Sequence, residues 1–325
     1  MAVYNAQAYL NEAIDSVLKQ QYENWELICV DDGSSDLSLN ILKKYSEIDK
    51  RIKVISSVHS GKASAARNKA LPVVTGDYTC ILDSDDKLEP NTLLELVSVI
   101  STADADFIVF STKFCDANCN SVIGELLGYH GRFDKVLTGM NAFVESLQWK
   151  ISGLGAIKSE IVQRLKWNEV GMNGDELSTR LFFLESKIVA FTKGAYLYRK
   201  HPESTTTKIS TKKFFTLDTN LSLINLMFIY NIDEKIRFTE IKRHANLVRW
   251  QYKQLIKYKN SFSREEFDEL KRYIKGHFFK MLNLEITSNK GVVKKQFEWT
   301  CLKIKTAMDQ IFSKNTIKTQ AKSIY

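Results

Sequence analysis

Two short acidic runs in this chain carry residue types suited to chemistry: Asp31-Asp32-Gly33-Ser34 and Asp83-Ser84-Asp85-Asp86. Each follows a short apolar stretch, Trp25 to Val30 and Tyr78 to Leu82. Carboxylates crowded at one edge repel one another unless a cation or a donor-rich ligand joins them. Their hard oxygens suit Mg2+ or Mn2+, and those ions also bind the oxygens of a diphosphate. Acidic turns also serve as helix caps, but two of them at equivalent positions favour a site. Asp83, Asp85 and Asp86 are the expected metal ligands, and an ion there would offset charge on a departing diphosphate. Lys62 and Arg67 lie between the two runs, on a loop and a helix start, where cations would meet phosphates.

The elements that must position these residues alternate between strand and helix over the first 110 residues. Asn5 can cap a helix carrying Leu10, Ile14, Val17 and Leu18 on one face. The strand at Trp25 to Val30 is followed by a helix that Ser35 or Asp36 can cap. Strands then fall at Ile52 to Ser56, Tyr78 to Leu82 and Phe107 to Ser111. They are separated by a short helix from Ala63 to Leu71 and a longer one from Glu89-Pro90 to Ile100. This alternation predicts a parallel sheet, whose ligands bind beyond the carboxyl ends of the strands. Both acidic runs occupy that edge. Residues 113–208 are less regular, with helices near Lys158 to Leu165 and Asp175 to Glu185. From about Lys212 the pattern is helical throughout, and the boundary falls between Thr206 and Lys212.

The chain has 325 residues, 44% hydrophobic and 26% charged, which suits a globular protein with a sizeable core. Its charge of +8 is unevenly placed. Residues 241–325 hold 19 Lys and Arg against 7 Asp and Glu, a net of +12, leaving −4 for the first 240. A basic helical end with interleaved Phe, Trp, Leu and Ile suits either a solvated outer face or an anionic membrane surface. No nucleic-acid-binding motif is visible. No run reaches the length of a membrane span and the N-terminus lacks a signal-peptide pattern. Cys29 and Cys80 sit in apolar runs as small core residues. Cys115, Cys119 and Cys301 complete an odd, irregular set that argues against zinc and for a reducing, cytoplasmic setting.

Five blocks, in order, carry a family resemblance. They are Val3-Tyr4-Asn5, Gln20-Gln21-Tyr22, Glu26 to Asp36, Ser64-Ala65-Ala66-Arg67-Asn68 and Leu82-Asp83-Ser84-Asp85-Asp86. Together they resemble a family 2 glycosyltransferase with the GT-A fold, of the type that builds bacterial cell-surface polysaccharides. The likeness is dense over about the first 110 residues and looser to about 207. It implies a doubly wound, mostly parallel α/β sheet with a C-terminal helical subdomain. The implied divisions are a nucleotide-sugar half (1–112), an acceptor half (113–208) and a basic helical region (209–325). The first strand is truncated relative to the family, since Met1-Ala2 stands where an apolar strand precedes the Tyr-Asn block. Loss of that strand would leave its neighbours with unpaired backbone groups, so we expect a start further upstream, another segment filling the gap, or a poorly active protein.

The resemblance also implies residue roles. Val3, Tyr4, Asp31 and Asp32 would meet the nucleobase and ribose, with Lys62 nearby and Arg67, Ser84 and Asp83 toward the phosphates. Asp83 and Asp85 form the DxD element. Asp175 in Met172-Asn173-Gly174-Asp175-Glu176-Leu177 is the implied catalytic base, with Glu176 in reserve. The family usually has Glu-Asp there, and Gly174 stands in place of the first acid. In Tyr198 to Thr206, Arg199 would reach the phosphates and His201 the metal. Trp149, Trp167 and Ser152-Gly153-Leu154-Gly155 lie where acceptors bind in relatives, although either Trp alone suits core packing. The expected activity is Mn2+- or Mg2+-dependent, inverting transfer from a nucleoside-diphosphate sugar, UDP-linked, carrying a hexosyl or N-acetylhexosaminyl group. The acceptor would be a glycan or lipid-linked, with the enzyme cytoplasmic and peripheral on the inner face of the membrane. Two alternatives accompany this reading: a catalytically weak relative, and an aspartate-based phosphotransfer protein, whose expected later Lys or Thr is missing.

Overall fold

The structure, a computed structural model, describes residues 1–201 and 210–287, with side chains to residue 280. The chain divides into two compact units, Met1–Lys208 and Ile209–Tyr325. The first unit begins β1 (Ala2–Val3), α1 (Leu10–Leu18), β2 (Leu27–Asp31), α2 (Ser38–Ile48), β3 (Ile52–Ser56) and α3 (Ala63–Ala70). These strands form a parallel sheet in the order β1-β2-β3. Every residue of β2 is buried, as a central parallel strand covered on both faces requires. Although β1 is only two residues long, the neighbouring edge of β2 is not left open. Val30 N–H donates to the Met1 carbonyl at 2.9 Å and Asp32 N–H to the Val3 carbonyl at 2.8 Å. The Met1 nitrogen donates to the Ile28 carbonyl at 2.8 Å.

Asn5 does not cap α1, contrary to expectation. It adopts a left-handed backbone, φ 49°, which Asn tolerates better than most residues. Its Oδ1 accepts from Ser35 N–H at 2.8 Å, and its own N–H donates to Ser34 Oγ at 3.0 Å. The Tyr-Asn block thus wraps the end of the first acidic run, and α1 starts at Leu10.

The unit continues with β4 (Tyr78–Cys80), β5 (Lys87–Leu88), α4 (Thr92–Ala103), β6 (Phe107–Cys115), β7 (Val122–Leu126) and β8 (Leu137–Thr138). It ends with α5 (Gly139–Leu147), β9 (Gly155–Lys158), α6 (Ser159–Leu165), α7 (Gly174–Glu185) and β10 (Ile188–Arg199). A second sheet runs β4-β9-β6-β10-β5, with β7 beside β6 and β8 beside β10. Only β6 and β10 are parallel in it; the other pairs are antiparallel. Parallel pairing is thus complete in the first sheet and limited to the β6–β10 pair in the second. Leu10, Ile14, Cys29, Leu42, Phe110 and Tyr196 belong to one buried cluster spanning both halves. Cys115 and Cys119 form a disulfide across the turn after β6, their Cα atoms 4.9 Å apart. Cys29 and Cys80 are free, and Cys29 is fully buried.

The second unit contains α8 (Thr216–Ile229), α9 (Glu234–Lys257) and α10 (Arg264–Thr287). Asp233 caps α9, its carboxylate accepting from Lys235 and Ile236 N–H. Leu217, Ile224, Ile241, Val248, Leu255 and Ile274 interlock in its core. No helix among the described residues is long and apolar enough to cross a membrane. Pro202 to Thr206, Cys301 and the basic tail beyond residue 287 lie outside the described residues.

Candidate active site

The end of β2 delivers the first acidic run. Asp32 accepts from Ser60 N–H and Oγ, each at 3.0 Å, and from Gly61 N–H at 3.1 Å. Burial opposes its ionisation, but those donors and the nearby His59 outweigh it, holding the carboxyl below the usual range. Asp32 therefore fixes the loop after β3. Gly33 permits this closeness. It sits at φ +74°, and a Cβ there would lie 2.9 Å from the His59 nitrogen. His59 stacks on Tyr4 with ring centroids 4.0 Å apart, and its Nδ1 lies 3.1 Å from Asp32. Tyr4 is about half exposed, whereas the Val3 side chain is buried in the core. Val3 thus supports the edge through its backbone; its side chain does not face the site, contrary to the simplest reading of its expected role. Asp31 accepts from Ser34 N–H at 3.2 Å, and its other oxygen is buried without a partner among the described residues.

The second acidic run is built from beneath. Tyr196, fully buried on β10, donates from its hydroxyl to Asp86 at 2.7 Å and accepts from Asp83 N–H at 3.0 Å. The other Asp86 oxygen accepts from Arg199 N–H at 2.7 Å. Arg199 is 2% exposed. Its guanidinium donates to the carbonyls of Asp85 and Ala117, each at 2.7 Å, and to Glu12 at 3.0 Å. Two expectations are corrected here. Asp86 has both oxygens engaged in the interior, so it braces the turn and does not face a metal. Burial and the neighbouring Asp83 and Asp85 push its pKa up to about 8. Arg199 is spent on the same turn and does not point toward phosphates. Asp85, its side chain partly exposed, instead meets the nearly buried His201 ring, Oδ2 to Nε2 at 2.9 Å, and Ser84 is half-buried between Asp83 and Asp85.

Arg67 joins this turn to the start of α7. Its buried guanidinium donates to Asp83 at 2.6 Å and lies 4.0 Å from Asp175. Burial disfavours its charge, but the two carboxylates prevail and raise its pKa. The loop before α7 is stitched to α3 by Asn68. Its side chain donates to the Trp167 carbonyl at 2.8 Å and to Glu169 at 2.7 Å, and accepts from Trp167 N–H at 2.8 Å. Lys62 donates to the Glu169 carbonyl at 2.5 Å, so it clasps the same loop. Gly174, the departure from the family pattern, has a steric cause: a Cβ there would run into the Asn168 carbonyl. Glu176 is paired with Arg180 at 3.0 Å and contacts Asn173, whereas the Asp175 side chain is 52% exposed. Trp167 is buried edge-on against Phe182, while Trp149 is half exposed beside Arg180.

Asp85 and His201 offer converging oxygen and nitrogen donors that fit a divalent cation. No cluster of three or more potential ligands occurs among the described residues. Such a sparse set suits an ion whose remaining coordination comes from substrate phosphates and water. His59, Glu12 and Tyr196 were not singled out from sequence. His59 could have been, since it follows β3 at the same sheet edge; nothing local marks Tyr196 or Glu12, whose partners all lie at least 75 residues away.

The family model described as Glycosyl transferase family 2 matches residues 1–139. The chain is 32% identical over 224 residues to glycosyltransferase GlyG of Streptococcus pneumoniae serotype 4, covering 62% of this chain and 70% of that protein. It is 35% identical over 127 residues to UDP-Glc:alpha-D-GlcNAc-diphosphoundecaprenol beta-1,3-glucosyltransferase WfgD of Escherichia coli, covering 39% of this chain and 49% of that one. The chain spans only 29% of the length of another pneumococcal relative, glycosyltransferase GlyA. The crystal structure of S. aureus TarS in complex with UDP-GlcNAc shares the fold at a TM-score of 0.57 and 20% identity, covering 73% of this chain and 67% of that one. The fold is that of the GT-A glycosyltransferases. The chain belongs to glycosyl transferase family 2.

Proposed function

We propose that this protein transfers a sugar from a nucleoside-diphosphate donor, UDP-linked, to a glycan or lipid-linked acceptor in polysaccharide synthesis, with inversion at the anomeric carbon. The observation that carries the reading is the Arg67 bridge, which puts the DxD turn and the exposed Asp175 carboxylate on one guanidinium. The UDP-glucose donor and diphosphoundecaprenol acceptor of WfgD and the UDP-GlcNAc complex of TarS support a uridine nucleotide and a lipid-linked acceptor.

The nucleobase and ribose would sit against Tyr4, His59 and Asp32, at the end of the first sheet. Asp85 and His201, with Asp83 nearby, would hold Mn2+ or Mg2+. When bound, that ion supplies positive charge to the departing diphosphate. Asp175 takes the proton of the acceptor hydroxyl as it attacks the anomeric carbon, acting as general base. Arg67 keeps Asp175 and Asp83 in a fixed spacing. A single displacement with one base inverts the centre, so an alpha-linked donor yields a beta linkage. Glu176, held by Arg180, orients the first turn of α7. The basic helical unit would meet an anionic membrane surface, placing the enzyme on the inner face of the membrane, where lipid-linked acceptors are found.

A screen of nucleotide sugars by donor hydrolysis, with Mn2+ and with a chelator, tests this. One UDP-sugar should be turned over in Mn2+ and spared in the chelator. Hydrolysis that survives complete chelation would remove the metal from the account.

A further inference from the structure

The second unit has an outer surface that transfer chemistry leaves unused. The buried side of α9 is formed by Ile241, His244, Ala245, Val248, Tyr252 and Leu255. Opposite it, at helical spacing, run the exposed residues Lys242, Asn246, Trp250, Lys253 and Lys257. No Asp or Glu lies in this stripe. Glu240 is buried, and Glu234 sits in the first turn. Arg243, at its border, already pairs with Glu240 at 3.6 Å. Trp250 is 48% exposed among these lysines.

A helix face that meets only water usually interleaves its lysines with acids, because like charges one turn apart repel. Here Lys253 and Lys257 stand one turn apart with no acid on their stripe, and Trp250 precedes them on the same face as Lys242. We propose that this face of α9 is a docking surface for anionic lipid headgroups. Lys242, Lys253 and Lys257 meet headgroup phosphates, and Trp250 seats its amphipathic ring at the interface, the depth such rings favour. Charge complementarity selects an anionic surface, and the exposed indole selects lipid over a purely ionic partner. The inference deepens the membrane part of the proposed function and does not depend on the transfer chemistry of the first unit.

The test is flotation of the full chain with phosphatidylcholine vesicles, with and without phosphatidylglycerol. Wild type should float only with the anionic vesicles. The triple variant Lys242→Glu/Lys253→Glu/Lys257→Glu should lose at least about a hundredfold in affinity. Tryptophan emission should shift to the blue on binding, and Trp250→Phe should abolish most of that shift. Donor hydrolysis without vesicles reports on the first unit separately and should be unchanged in every variant. Hydrolysis missing from wild type, with flotation intact, would sink the transferase reading alone. Equal flotation of the triple variant and wild type would overturn the docking face. So would equal binding to pure phosphatidylcholine, or binding to an RNA oligonucleotide without binding to vesicles.

Discussion

Each unit buries a cluster of polar groups, and the two clusters are finished differently. Under the DxD turn, Asp86, Tyr196 and Arg199 meet one another, Glu12 and three backbone groups of the surrounding turns at 2.7–3.0 Å. In the helical unit, Asp218 accepts from Tyr273 at 2.7 Å and faces His277 at 3.0 Å. There, both ring nitrogens of the fully buried His244 lack partners among the described residues. A completed network fixes a geometry, and an incomplete one leaves a group that resists charging. The first cluster fixes the shape of the Asp83–Asp86 turn. The second is a point of weakness toward acid.

The largest expected effect breaks the completed network. Arg199→Met removes a buried charge and leaves the Asp85 and Ala117 carbonyls without their donor, which should cost about 3–5 kcal/mol in denaturant unfolding. Arg199→Lys should recover only part of this, because one ammonium cannot replace the planar fork. A Met variant as stable as wild type would show that the network carries no weight.

The incomplete network should show itself as pH falls. Burial, then the neighbouring His277, lower the His244 pKa to about 4, and burial also lowers that of His277. The unfolded chain takes up these protons near its ordinary value of about 6.5. The stability of the neutral pair is thus complete above about pH 6.5 and is lost as pH falls toward 4, on the order of 3 kcal/mol for His244 alone. Helical ellipticity on melting at a series of pH values measures this. His244→Phe should flatten the dependence, and an unchanged slope would exclude His244 as its source.

A smaller effect lies between these regions. Asn68→Ala removes three hydrogen bonds to the loop before α7 and should cost about 1–3 kcal/mol. Turnover should fall more than donor affinity, because the loop positions Asp175 and not the nucleotide. Equal losses in both would place Asn68 with the donor site.

Much of the site was legible because acidic turns at strand ends are local patterns. Asp32, Asp83, Asp85 and Arg67 follow from composition, strand spacing and the family blocks. What escaped depended on long-range packing. Asp86 looks like its neighbours in sequence, yet Tyr196 and Arg199, more than 100 residues away, turn it inward. Arg199 looks like a phosphate ligand until its burial is seen. The sheet was legible where strands alternate with helices. It was not legible in the acceptor half, where β9 inserts antiparallel between β4 and β6. Nor did residue type reveal why Gly174 replaces an acid, since the cause is the Asn168 carbonyl across the loop.

The central claim is that Asp175, held by Arg67 beside the DxD turn, is the base. It is tested most directly by single-turnover sugar transfer in Asp175→Asn and Glu176→Gln, with UDP affinity and melting temperature measured alongside. Asp175→Asn should lower the rate by roughly 10²–10⁴-fold with affinity and stability preserved, and Glu176→Gln should fall far less. Near-full transfer by Asp175→Asn, with Glu176 intact, would contradict the account.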